Sequence, residues 1–243
     1  INILAATATA TQFGASGDVT VNYATGANAD VTVNIGGAAD YTMGDLTISN
    51  ASTITIQSKG KNATINGKQT FADATELTYI AKDGTVTAGE VTADKVTTLN
   101  FIADGKDLQV DNINNSFDKL EVLNVTATGA KATVVAKVSP TPGAAHTISE
   151  VNVKGTDATS ELDVTVNGNT GTTNPFTIST VNFEVNGISD TQKLTIVTDS
   201  NNATISALNV KVVEGGLAEV QFNKTFIIDG GVFEGKGTID AKL

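Results

Sequence analysis

Residues 96–125, VTTLNFIADGKDLQVDNINNSFDKLEVLNV, decide how this chain folds. They hold one full copy of a unit and the opening of the next. The unit opens on a short apolar strand, Val96-Thr-Thr-Leu99-Asn100-Phe101, and returns as Leu120-Glu-Val-Leu123-Asn124-Val125. The same phrase recurs as TISEVNV at 147–153, TISTVNF at 177–183 and TISALNV at 204–210. Self-similarity at intervals of about 20–50 residues is the mark of a stacked architecture.

Working outward, the key apolar positions are Leu77, Leu99, Leu123, Val151, Val181 and Leu208, at spacings of 22, 24, 28, 30 and 27 residues. Ile54 and Val33 extend the series towards the N-terminus. A glycine keeps step four to seven residues later: Gly84, Gly105, Gly129, Gly155, Gly187 and Gly215. A corner that needs φ > 0 favours glycine there. A second strand follows each corner, for example DLQV at 107–110, KATVVAKV at 131–138 and KLTIVT at 193–198. Upstream, VTVNY (19–23), VTVNI (31–35), LTISN (46–50), TITIQ (53–57) and ATING (63–67) alternate apolar and polar residues between turn formers. FADATEL (71–77) is the one stretch that suggests a turn of helix.

The expected fold is all-β: a parallel β-helix, or β-solenoid, with coils of 22–30 residues and two or three strands per coil. Eight or nine coils at ~4.8 Å would span roughly 40 Å. Residues 1–243 form one elongated solenoid, with 1–18 as a terminal cap or exchange strand. Tandem β-sandwiches are the alternative, but a period of 22–30 residues is short for a sandwich domain. Loops at 139–146 and 167–175 are expected to leave the stack.

Composition narrows the function. No apolar run approaches the ~18 residues of a membrane helix, so membrane insertion is not expected. The net charge is −11, and every one of the 15 basic residues is lysine. An acidic chain without arginine is ill-suited to nucleic acid, whose phosphates demand basic patches. Cysteine is absent, which excludes disulfides and thiolate metal sites. The chain opens at Ile1 without a signal-peptide pattern and reads as a mature or excised segment.

Four features bear on chemistry. Asn100, Asn124, Asn152, Asn182 and Asn209 recur between inward residues and should form an outward ladder of hydrogen-bonded amides. Acidic residues gather near corners: Asp104, Asp107 and Asp111, then Asp157 with Glu161, then Asp229, Glu234 and Asp240. Ca²⁺ takes six to eight oxygens, and Asp104, Asp107, Asp111 and Asp157 are the candidate metal ligands. Thr-rich strands do not repeat at one place in every coil, which disfavours a flat threonine array for ice or glycan. His146 is the sole histidine. No nucleophile-elbow, zinc-helix or phosphate-loop motif occurs, so an enzyme is not expected.

The phrase FDKLEVLNVTATGA at 117–130 resembles the recurring strand of bacterial surface-layer proteins of the large, Thr/Ala/Gly-rich, type I-secreted kind. The resemblance covers about residues 77–222. It implies an extracellular, cell-surface protein that assembles with itself into an array, with calcium as an aid. The Gly/Asp nonapeptides of that family are missing here. The alternative is the stalk or passenger of a surface adhesin, meeting a surface polysaccharide or matrix through its loops.

Overall fold

The computed structural model describes residues 2–5, 11–13, 17–24, 29–140, 144–188 and 192–242. For 2–5 and 11–13 only the backbone is considered. The chain winds through a succession of short strands into a parallel β-solenoid of about nine turns. Three sheets build it, of five, eleven and nine strands. All strand pairings among the described residues are parallel, and each strand lies on its equivalent in the coil before. That excludes the sandwich, whose sheets would be antiparallel.

The eleven-stranded broad sheet carries the repeat. Its register pairs Leu77 with Leu99, Leu99 with Leu123, Leu123 with Val151, Val151 with Val181 and Val181 with Leu208. Ile54 joins this row below Leu77. Val33 does not: Ile54 pairs with Val31, and Val33 pairs with Ile56. A slip of two residues in VTV keeps every side chain on its proper face, so alternation alone cannot detect it. Every residue of the key row is buried, because each contributes apolar area to one continuous column.

The cross-section changes along the axis. Early coils have three sides, with the five-stranded sheet formed by Asn2–Ala5, Val19–Tyr23, Leu46–Ser49, Gln69–Thr70 and Val91–Thr92. That sheet stops after Val91–Thr92, beyond which only a single bridge, Thr92 to Ser116, continues it. The other two sheets lengthen in compensation. Leu108–Val110 has three residues and its successor Lys131–Val138 has eight; Val122–Thr128 has seven and His146–Gly155 has ten. The tube thus passes from triangular to flattened.

Asn115 closes the third sheet. It is fully buried. Its Oδ1 accepts the Val91 N–H at 2.9 Å, and its Nδ2 donates to the Val135 carbonyl at 2.9 Å. A buried backbone donor must be paired, and here a side chain supplies what the next strand no longer does. Residues 71–75 form a turn before strand Glu76–Ala81 rather than a helical one, tied by Asp73, which accepts the Asn50 N–H at 3.0 Å and the Lys95 ammonium at 2.8 Å.

The corner glycines divide in two. Gly105, Gly129 and Gly215 have φ of 71°, 58° and 84°, as the left-handed corner requires. Gly84 instead needs to be small: a Cβ there would lie 2.2 Å from the Lys61 carbonyl of the preceding coil.

Candidate functional site

The outward face of the broad sheet shows what the repeat builds. Asn124 Nδ2 donates to Asn100 Oδ1 at 2.9 Å, Asn152 to Asn124 at 3.0 Å, Asn182 to Asn152 at 2.8 Å, and Asn209 to Asn182 at 2.9 Å. Asn100 ends the donor chain on Thr78 Oγ1 at 3.1 Å and Glu76 Oε1 at 3.0 Å. The row continues below as Thr78, Thr55 and Thr32. Above Asn209 it meets Val232. The row is therefore threonine, then asparagine, then an apolar stop. Each ladder amide above Asn100 keeps one N–H outside the chain of bonds, and Asn152 gives its own to Glu150 Oε2 at 3.1 Å.

A charged row lies two residues along the same strands. Glu184 takes Lys154 at 3.0 Å and Lys211 at 3.7 Å. Partial burial pushes its carboxyl up, but Lys154 and Asn186 more than offset this and hold it below the usual range. A shallow depression of about 490 Å³ sits at this end of the face, lined by Asn182, Glu184, Asn209, Lys211, Val232 and Glu234.

The four expected calcium ligands are placed apart. Asp104 pairs with Lys82 at 3.0 Å. Asp107 accepts the Lys131 N–H at 2.9 Å, and Asp111 accepts Gln109 Nε2 at 3.0 Å. Asp157, two coils on, closes its own turn by accepting Thr159 N–H at 3.0 Å and the Ser160 hydroxyl at 2.9 Å. Burial pushes the Asp157 carboxyl up, yet the Ser160, Thr159 and Gly129 donors carry it below its ordinary value. Among the described residues, no three of His, Asp and Glu gather as a metal-binding group.

One cluster escaped the sequence reading. Asp94, Asp118 and His146 each stand five residues before a key position, Leu99, Leu123 and Val151, so the register stacks them at one corner. The Ser116 hydroxyl lies 2.9 Å from Asp94 Oδ1 and 3.2 Å from Asp118 Oδ1. Asp118 also accepts the Ser139 N–H at 3.2 Å. His146 Nε2 lies 2.7 Å from the Leu120 carbonyl, which only accepts, so Nε2 carries a hydrogen. Burial, then the Asp94 charge, raises the Asp118 carboxyl above its usual range, against the pull of Ser116, Ser139 and His146. The constant offset from the key residue was the signal that could have found this row.

Compared with protein-family models, with curated proteins and with solved structures, the chain matches none. Fold and geometry alone bear on its function.

Proposed function

We propose that the chain is a structural subunit, or a segment of one, in a bacterial extracellular surface array, where copies associate with one another and calcium strengthens the association. The reading rests on one observation above the rest. The molecule is a continuous parallel rod whose outward face is spent on bonds along its own axis: five amides in one ladder, and ion pairs such as Lys82–Asp104 and Lys154–Glu184 that tie each coil to the next. Such a surface supports stiffness in an elongated building unit. The resemblance of FDKLEVLNVTATGA to surface-layer strands points the same way.

Calcium enters through charge. At −11, copies repel one another at low salt. A divalent ion shared between carboxylates of neighbouring copies would offset that repulsion and fix geometry. Asp104, Asp107, Asp111 and Asp157, set near the corners, are the carboxylates we assign to such bridges. The test is sedimentation with negative-stain imaging in millimolar Ca²⁺, in EGTA, and in Mg²⁺ alone. Ordered sheets or filaments in Ca²⁺ that dissolve in EGTA are expected. Dispersed single particles in all three conditions would refute the array.

A further inference from the structure

We propose that Asn66 is a site of spontaneous self-modification. In the folded protein it converts to aspartate and isoaspartate through a succinimide formed with Gly67, while the two other Asn-Gly pairs are held intact. The inference does not rest on the array reading.

The pairs are Asn66-Gly67, Asn167-Gly168 and Asn186-Gly187. In such a pair the glycine nitrogen, once it has given its proton to hydroxide, can attack the asparagine Cγ, because no side chain on the second residue stands in the way. A C–N bond forms and closes the succinimide; the Cγ–Nδ2 bond breaks and ammonia leaves. Water then opens the ring at either carbonyl. One product is aspartate. The other is isoaspartate, whose main chain runs through Cγ and is one atom longer. The step requires a side-chain amide and a backbone N–H that hydrogen bonds do not hold.

The fold withholds both from two of the pairs. Asn186 Nδ2 donates to the Gly155 carbonyl at 2.7 Å and to Glu184 Oε1 at 3.2 Å. Gly187 behind it is buried, and a Cβ there would lie 2.2 Å from the Ser160 carbonyl. Asn167-Gly168 ends strand Glu161–Gly168, which has a parallel neighbour on each side. The Gly168 carbonyl accepts the Thr198 hydroxyl at 2.8 Å and the Asp199 N–H at 3.3 Å.

Asn66 differs because of its column. It is exposed at the corner between strands Ala63–Ile65 and Gln69–Thr70. Ala63–Ile65 pairs with Tyr41–Met43 below and Val86–Ala88 above, so Gly44 and Gly89 take the place of Asn66 in the neighbouring coils. Its amide therefore has no side chain above or below it to bond, whereas each ladder asparagine has one. Among the described residues, neither that amide nor the Gly67 N–H has a hydrogen-bond partner. Glycine at 67 is itself a packing demand: a Cβ would lie 2.2 Å from Asp45 Oδ1 and 2.5 Å from the Gly44 carbonyl carbon. Close stacking of the coils thus sets the one residue type that permits attack directly after an unpaired asparagine.

Conversion has a local consequence. The Asn66 N–H donates to the Met43 carbonyl at 3.0 Å, and the Lys68 N–H donates to Asp45 Oδ1 at 2.8 Å. These bonds hold the pair from both sides. One extra main-chain atom between them cannot keep both, so isoaspartate loosens this corner. Either product also adds a negative charge to a corner that already holds Asp45.

The test is incubation of the 243-residue chain in heavy-oxygen water at mildly alkaline pH, folded and in urea, followed over weeks by peptide mapping with mass spectrometry. In urea all three pairs are expected to convert. On folding, Asn66 should stay within about threefold of its urea rate, while Asn167 and Asn186 slow at least tenfold, a barrier rise of about 1.4 kcal/mol or more. The product at 66 should carry one heavy oxygen and be labelled in part by an isoaspartyl methyltransferase, and Asn66→Gln should show neither. A slowing at Asn66 equal to that at Asn167 and Asn186, or no slowing at any pair, overturns the proposal. The purified isoaspartyl form is expected to melt below Asn66→Asp, which carries the same charge on an ordinary backbone. Equal Tm values for the two would overturn the loosening of the corner.

Discussion

Asn152 Nδ2 donates to Asn124 Oδ1 at 3.0 Å across two coils that lie 28 residues apart in sequence. The bond has one direction. Each ladder residue gives its hydrogen towards the N-terminus, and each below Asn209 receives one from the C-terminal side. A residue in the row must therefore both donate and accept along the axis. A threonine hydroxyl can do both, and Thr32, Thr55 and Thr78 occupy the same row in earlier coils, Thr78 accepting from Asn100.

Asn152→Asp tests that demand. The shape is kept and the donor is lost, so a carboxylate oxygen faces Asn124 Oδ1, with Glu150 close by. The expected cost is about 1–3 kcal/mol at pH 7, read as a fall in Tm. Asn152→Thr should cost under about 1 kcal/mol. The new carboxyl would hold its proton more tightly folded than unfolded, so the cost should shrink below about pH 4. Equal Tm values for both variants at pH 7 would show that the ladder contributes nothing.

Leu123→Asp tests the column beneath. Leu123 is fully buried between Leu99 and Val151. A charge there finds no partner and the stacked contacts are lost, so loss of the cooperative fold is expected. Leu123→Ala should fold, with a loss of about 2–5 kcal/mol. Circular dichroism melts decide it, and an unchanged Tm in Leu123→Asp would place the residue outside the core.

Asn115→Leu tests how the third sheet ends. The volume is kept, but the Val91 N–H and the Val135 carbonyl lose their partners. Leaving buried backbone groups unpaired costs about 1–3 kcal/mol each. Hydrogen exchange should quicken first at Val91. Protection at Val91 equal to the wild type would show that another group, not Asn115, holds that amide.

Much of this architecture was legible in the sequence, for identifiable reasons. The phrase around Leu123 recurs with an asparagine at a fixed place, which sets face and register together, and the broad sheet follows it residue for residue. Val33 slipped by two because VTVNI offers two equivalent valines on one face. The third sheet was hidden because Gln69–Thr70 and Val91–Thr92 are two residues long and show no alternation. Its end depends on Asn115, which reads in sequence as one more turn residue. Asp229 and Glu234 mark IIDGGVFEGKGTID as acidic in the sequence, while the structure sets that stretch apart by Phe233, which stands over Val210 in the inward row and is 59% exposed. The Asp94–Asp118–His146 row needed the corner offset, which only the register makes plain.

Asp118→Asn tests that row. The Ser116 hydroxyl has one hydrogen and two carboxylates beside it, Asp94 at 2.9 Å and Asp118 at 3.2 Å. With both acids ionised, one of the two contacts has no proton. Burial and the Asp94 charge raise the Asp118 carboxyl, so the folded state binds that proton more tightly than the unfolded chain. Stability from this group is then fully present at low pH and lost as pH rises from the ordinary aspartate range through the raised value. Asparagine removes the ionisation. Its Oδ1 still accepts the Ser139 N–H, and its Nδ2 can donate to Ser116 Oγ, freeing the hydroxyl hydrogen for Asp94. The variant should melt about 1–3 °C above the wild type at pH 7, and the gain should vanish below about pH 4. A lower Tm for Asp118→Asn at pH 7 would mean that the carboxylate is held by a cation or donor at this corner, and that the row stabilises the coil through its charge.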